Sequence, residues 1–229
     1  MKSLTHQRGS VLYVIFGVMA LIVGFALYSI SQKAKGPEQA SNTQTKQADT
    51  QYMQWYPQAR QLVDFNLITH EQQPMTNADL QGHWTLAFVG YTFCPDICPT
   101  TLAQLGRAFP KIANIPSEHP VQVWFLSVDP KRDSPQRLKE YVTFFNEEFI
   151  ASTGEHKELY PLVRSMGMMY SMSDDTSKPN YLVNHSGSVV VINPDGNVIG
   201  RFKPQHIPGQ IAISDTAQIL ADLPAIIGG

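Results

Sequence analysis

The sequence predicts an α/β domain with a mixed central sheet, preceded by one N-terminal transmembrane helix. Three observations carry this. Val11 to Ile30 is an uncharged apolar run of 20 residues. At about 1.5 Å per residue it matches the roughly 30 Å hydrocarbon thickness of a bilayer. Thr85–Gly90 and Val121–Val128 are near-continuous apolar runs rather than alternating ones, as in strands covered on both faces. Between them Leu102, Leu105, Phe109 and Ile112 recur at helical spacing, which makes a strand–helix–strand unit.

The first run competes with a cleaved signal peptide. Those have apolar regions of about 7–15 residues and a small-x-small cleavage site. This run is longer, and Ser29-Ile30-Ser31 is a weak site, so an uncleaved anchor is expected. No cysteine follows it closely, which excludes a bacterial lipid anchor. Lys2 and Arg8 precede the run and Lys33 and Lys35 follow it, so the positive-inside rule barely decides orientation. Residues 36–51 are rich in Gln, Ser, Thr, Ala and Lys, and cannot bury enough apolar surface to order themselves. The expected organisation is a short N-terminal segment (1–10), an anchor (11–30), a flexible linker (31–55) and one folded domain (56–229).

Within that domain, Asp133-Ser-Pro-Gln suits a helix start, with a capping side chain and then Pro in the first turn. Leu138, Tyr141, Val142 and Phe145 form one helical stripe; Leu159, Leu162, Val163 and Met166 form another. Pro110 is expected to kink or end the first helix. Ser188–Asn193 and Val198–Phe202 read as strands joined by a Pro194-Asp-Gly-Asn turn. A last helix is expected over residues 209–222. The order is compatible with a thioredoxin-like fold.

Charge narrows the function. Charged residues are 16% of the chain, against about 25% in typical soluble proteins. Four basic residues flank the apolar run, so from residue 36 onward 13 basic residues face 19 acidic ones. That argues against binding nucleic acid, which needs clustered positive charge. Two cysteines are too few for a disulfide-stapled scaffold.

Those two cysteines lie in Gly90-Tyr-Thr-Phe-Cys94-Pro-Asp-Ile-Cys98-Pro-Thr-Thr101, between a buried strand and a helix. Ligands bind at the C-terminal ends of strands in open α/β sheets, and a helix N-terminus favours a thiolate. The spacing is one residue longer than the common Cys-x-x-Cys exchange motif. If the segment is helical, positions i and i+4 share a face and both sulfurs can converge on one metal. A structural zinc site would need four ligands, and there is no third cysteine. Among seven histidines, His6 precedes the apolar run and His83 sits at the opposite end of the strand. His119 and His156 lie in charged stretches and are expected to be solvated. His70 and His206 are in loops that periodicity does not resolve. His185, just before the Val189–Ile192 strand, reads either as a surface turn residue or as a metal ligand. Two thiolates and an imidazole suit copper, as Cu(I) or Cu(II).

With these residues in view, the chain resembles the SCO/SenC family of copper-assembly proteins. Cys94-Pro-Asp-Ile-Cys98-Pro99 matches the family's Cys-Pro-Asp-x-Cys-Pro position by position. His185 looks like its distant histidine, and Ser127-Val-Asp-Pro-Lys-Arg-Asp-Ser-Pro135 resembles its Asp-Pro-x-Arg-Asp-x-Pro segment. The resemblance covers about residues 60–223 and the anchor. It implies a thioredoxin-like domain facing the periplasm, on a single-pass anchor in the inner membrane. It also implies copper held by Cys94, Cys98 and His185, and a role in building the binuclear copper centre of cytochrome c oxidase subunit II. Other copper carriers or thiol reductants would be further partners. One departure is Asn184, where many members have Asp, which removes an acidic partner for His185. Asp129, Arg132 and Asp133 also read simply as a turn and helix cap. Met166, Met168, Met169 and Met172 read as core or rim residues rather than ligands.

Three readings compete. The first is a copper chaperone. The second is a membrane-anchored thiol–disulfide oxidoreductase, with Cys94 and Cys98 as its catalytic pair, keeping the subunit's cysteines reduced. The third is a peroxidase-like protein. A purely redox role does not require His185, and Thr92-Phe-Cys94 lacks the Thr-x-x-Cys spacing of a peroxidase. The copper reading therefore leads.

Overall fold

The computed structural model describes residues 48–172 and 175–228, together with Met19, Ile22 and Phe25, which are helical. The expected membrane helix otherwise lies outside the described residues. Among the described residues no helix is long and apolar enough to cross a membrane.

The strands are β1 (Gln54–Gln61), β2 (Leu67–Thr69), β3 (Pro74–Met75), β4 (Trp84–Gly90), β5 (Val121–Ser127), β6 (Ile150–Thr153), β7 (Tyr170–Met172), β8 (Val183–His185), β9 (Val189–Ile192) and β10 (Asn197–Phe202). The helices are α1 (Ile97–Ala113), α2 (Pro135–Thr143), α3 (His156–Ser165) and α4 (Thr216–Ile227). The main sheet has the order β1-β10-β9-β4-β5-β6-β2-β3. Its centre is parallel, β4 to β5 to β6. β9 joins β4 antiparallel and β10 joins β9 antiparallel. The expected mixed sheet and strand–helix–strand unit are therefore present, in a thioredoxin-like domain.

The apolar runs explain the centre of the sheet. Leu86 to Val89 and Val123 to Leu126 are buried along their whole length, because helices and loops cover both faces. α1 packs on α4 and β5, and α2 packs on β6. Leu102, Leu105, Phe109 and Ile112 all face this core, and each such side chain contributes about 1.5–3 kcal/mol when taken from water. Ile112 is fully buried, and its burial carries α1 through Pro110 to Ala113 instead of stopping at the proline.

Several elements differ from expectation. The last helix starts at Thr216, not 209, because Asp215 caps it through the Ala217 amide at 2.8 Å. It runs past Pro224 to Ile227, whose side chain is buried. The side-chain cap of α2 is Ser134, which accepts from the Arg137 amide at 3.2 Å; Asp133 is buried and bonded elsewhere. Residues 48–55, inside the expected linker, also belong to the folded structure. Met53 is in the core, and the Asp222 carboxylate on α4 accepts from the amides of Gln51, Tyr52 and Met53 at 2.9, 2.6 and 2.7 Å. β1 follows at the sheet edge with Pro57 in an irregular stretch, where proline costs no ladder bond.

Candidate metal centre

β4 ends at Gly90, whose carbonyl accepts from the Val128 amide at 2.9 Å. The chain then turns, with the Cys94 amide bonded to the Tyr91 carbonyl at 3.2 Å, and enters α1. Cys94 thus precedes the helix and Cys98 lies within its first turn. The sulfurs converge because of this hook, not because both ride on one helical face. Asp96 occupies the N-cap position but makes no side-chain cap bond. Cys94 Sγ takes that role, accepting from the Cys98 amide at 3.5 Å. A sulfur at a helix N-terminus sits in the positive end of the dipole.

Glycine is required at position 90. A Cβ there would lie 2.5 Å from Cys98 Sγ and 2.8 Å from the Phe125 ring. The sheet backbone therefore approaches the buried sulfur directly.

His185 arrives from a separate two-stranded sheet. β7 and β8 pair antiparallel, Tyr170 opposite His185. The imidazole meets Phe88 and Tyr91 edge-on, with centroids 6.0 and 5.8 Å away. Its Nδ1 lies 3.1 Å from the Ser186 carbonyl and its Nε2 lies 3.4 Å from Cys98 Sγ. Nδ1 donates to the carbonyl, which leaves the Nε2 lone pair facing the sulfurs. His185 is therefore half-buried beside the Cys98 sulfur rather than standing free on a surface turn. Asn184 is exposed on the same strand, and the Ser186 carbonyl fills the partner role that an acidic residue would otherwise supply.

The donor atoms of Cys94, Cys98 and His185 lie within 4.8 Å of one another, and they are the one such group among the described residues. Metal–donor bonds of about 2.0–2.3 Å place donors sharing one ion roughly 3.5–4.5 Å apart, so the three need little adjustment to close on a single ion. Cys94 is half-buried and Cys98 is buried. The Cys98 side chain bonds to Cys94, and this above all lowers the Cys94 thiol to about 4, with His185 and helix amides assisting against desolvation. Burial raises Cys98 well above the ordinary thiol range, and its bond to Cys94 adds to this. The pair therefore carries one thiolate near neutral pH. Solvent reaches His185 through a cleft of about 450 Å³ bordered by Met169, Asn184 and Arg201.

The residues around the loop do more than cap a helix. Asp129 pairs with Arg132 Nε at 2.5 Å and accepts from the Tyr181 hydroxyl. The Arg132 guanidinium lies over the rings of Tyr181, Phe93 and Tyr91, 3.5, 4.7 and 5.5 Å from their centroids. The turn predicted at Asp129 exists, with Asp133 N bonded to its carbonyl at 2.9 Å. Its side chains, however, form a buried network that local pattern did not show. His156 also departs from expectation: it is half-buried, its Nδ1 is 2.8 Å from the Tyr170 hydroxyl, and burial lowers its pKa. His70 is buried, with Nδ1 accepting from the Ala151 amide at 3.0 Å. Met166 and Met168 are core residues and Met169 is 76% exposed, in line with the core-or-rim reading.

Residues 55–221 match the SCO1/SenC family model. A Stutzerimonas stutzeri protein named for copper binding is 34% identical over 149 residues, which is 64% of this chain and 71% of that protein. The mitochondrial SCO2 homologue of Mus musculus is 35% identical over 133 residues, 58% of this chain and 52% of that one; the chain thus spans about half the length of this relative. The crystal structure of Arabidopsis thaliana ScoI with copper bound superposes with a TM-score of 0.57 at 34% identity, over 63% of this chain and 89% of that one. With a family model matched over most of the chain, and a fold shared with a solved Sco structure, the chain belongs to the SCO1/SenC family.

Proposed function

We propose that this protein binds copper through Cys94, Cys98 and His185 and delivers it to the binuclear copper centre of cytochrome c oxidase subunit II. The observation that carries the reading is the convergence of two sulfurs and one imidazole nitrogen within 4.8 Å. Thiolates suit Cu(I), and the addition of an imidazole allows Cu(II). The copper-binding name of one relative and the copper-bound state of a solved neighbour support the choice of ion. Three protein donors fall short of the closed four-donor shell of a structural site, so an incoming donor can attach before a resident one leaves. Copper is cargo here, and the protein is a metallochaperone first. Other copper carriers would load it.

One observation favours a second activity. Cys94 is a half-exposed thiolate beside a buried thiol, the arrangement that thiol–disulfide exchange uses. Reduction of the target subunit's cysteines is the alternative function, with Cys94 and Cys98 as its catalytic pair and a thiol reductant as a further partner.

We place the domain in the periplasm, on a single-pass anchor formed by Val11–Ile30 in the inner membrane. Lys2 and Arg8 before the run, and a thiol pair suited to a redox-active compartment, support this. A reporter fused after Gly229 is expected to be active only outside the cytoplasm; cytoplasmic activity would end that placement.

The copper reading is tested by titrating the reduced protein, followed by absorption and electron paramagnetic resonance. One copper per chain is expected. Oxidation to a Cys94–Cys98 disulfide removes both thiolate donors and should nearly abolish tight binding. Equal affinity in the two redox states would exclude the site.

A further inference from the structure

Asp133 is buried completely, and every acceptor position described for it points at the loop before Cys94 or at the end of β5. Oδ2 accepts from the Thr92 amide at 2.9 Å and from the Ser127 hydroxyl at 2.6 Å. Oδ1 accepts from the Thr92 hydroxyl at 2.6 Å. Thr92 is itself buried, and its hydroxyl oxygen accepts from Arg137 Nε at 3.1 Å. No Lys or Arg forms a salt bridge with Asp133 among the described residues. Desolvation accordingly raises its pKa, against the hydrogen bonds that lower it.

Burying an unpaired carboxylate is expensive, and a helix cap does not require it, because Ser134 already caps α2. What the carboxylate does hold is the conformation of Thr92. That residue is two positions before Cys94 and inside the hook that brings Cys94 Sγ to the α1 amides.

We propose that Asp133 is a positioning residue for the thiol pair: through its double hydrogen bond to Thr92 it fixes the Tyr91–Cys94 turn, and so sets how closely Cys94 Sγ is held against Cys98. Asp133 touches neither sulfur and no metal. Ser127 ties it to β5, so the loop is referenced to the rigid centre of the sheet. The proposal takes Cys94 and Cys98 as the working pair of the site proposed above.

The test reads the sulfurs without copper, so that failure of the copper reading and failure of this one remain distinct. The full-length protein is equilibrated with glutathione. Its two thiols give two protons and two electrons to oxidised glutathione, forming one Cys94–Cys98 bond and two molecules of reduced glutathione. The equilibrium constant measures how well the two sulfurs are held together. Thr92→Val keeps the Asp133 charge and deletes the hydroxyl bond; Thr92→Ser keeps the bond; Asp133→Asn keeps the shape and deletes the charge.

Thr92→Val and Asp133→Asn are expected to lower the constant for disulfide formation about tenfold, which is about 30 mV for this two-electron couple. Thr92→Ser is expected to stay within twofold of the parent. Equilibrium constants for Thr92→Val within twofold of the parent, whatever happens to its melting temperature, would overturn the proposal and leave Asp133 a fold-stabilising residue. A shift in Asp133→Asn alone would also overturn it, because the effect would then be charge and not position. If Asp133→Asn does not fold, the Thr92 pair decides.

Discussion

Cys98 Sγ and His185 Nε2 stand 3.4 Å apart although 87 residues separate them along the chain. The contact joins two sheets of one compact unit: the strand–helix junction of the main sheet and the small β7–β8 pair. The candidate metal centre is therefore a junction between the two sheets.

His185→Ala removes one of three protein donors and leaves both sulfurs in place. The Cu(II) form should suffer most, since two thiolates still hold Cu(I). Loss of the sulfur-to-Cu(II) charge-transfer absorption is expected, with oxidase assembly lost and most turnover on a model disulfide retained. Normal oxidase assembly by this variant without added copper would remove His185 from the ligand set and move the oxidoreductase reading to first place.

The thiol pair should alkylate one-sidedly. The Cys94 pKa is lowered to about 4, so its thiolate is fully formed above about pH 5 and falls roughly tenfold per pH unit below pH 4. Iodoacetamide should modify Cys94 at a nearly constant rate from pH 5 to 8, with Cys98 unmodified in the folded protein. The stability contributed by this lowered group is present above the unfolded thiol value and is lost as pH falls through about 4. Mass spectrometry of quenched samples reads the result. A Cys94 rate that climbs tenfold per unit from pH 6 to 8 would show an ordinary thiol.

Gly90→Ala pushes a methyl group to 2.5 Å from Cys98 Sγ and 2.8 Å from Phe125. Both neighbours are buried in the core and have little room to yield. Overpacking of this kind costs about 1–3 kcal/mol. Denaturant unfolding should show that loss, and copper affinity should fall at least tenfold as Cys98 is displaced. Unchanged copper affinity would mean that the sulfur moves freely.

Asn184→Asp tests the one visible departure from the family pattern. His185 Nδ1 already has the Ser186 carbonyl at 3.1 Å, and Asn184 is exposed, where an added charge is screened. The substitution should change copper affinity less than threefold in competition titrations. A tenfold gain would show that the acidic side chain reaches the imidazole in place of the carbonyl.

Much of this was legible in the chain itself. Thr85–Gly90 and Val121–Val128 announce central strands because a strand buried on both faces has no polar side to alternate. Cys94 and Cys98 announce a site because cysteine and proline at a strand–helix junction have few structural uses. β1, β7 and β8 were silent for the opposite reason. β1 is a polar edge strand, and β7 and β8 are three residues each, too short for a period of two to register.

The sequence by itself determined the central strands, the helix stripes and the donor types. Each rests on residues close together in the chain, where apolar spacing or a motif is readable. Tertiary structure alone decided two further things. It brought His185 to Cys98, and it turned Asp133 from an expected helix cap into a buried acceptor for Thr92. These depend on separations set by packing between segments, 41 residues apart for Asp133 and Thr92. No local pattern encodes such a distance, because burial and partner choice are properties of the closed core and not of any one stretch that enters it.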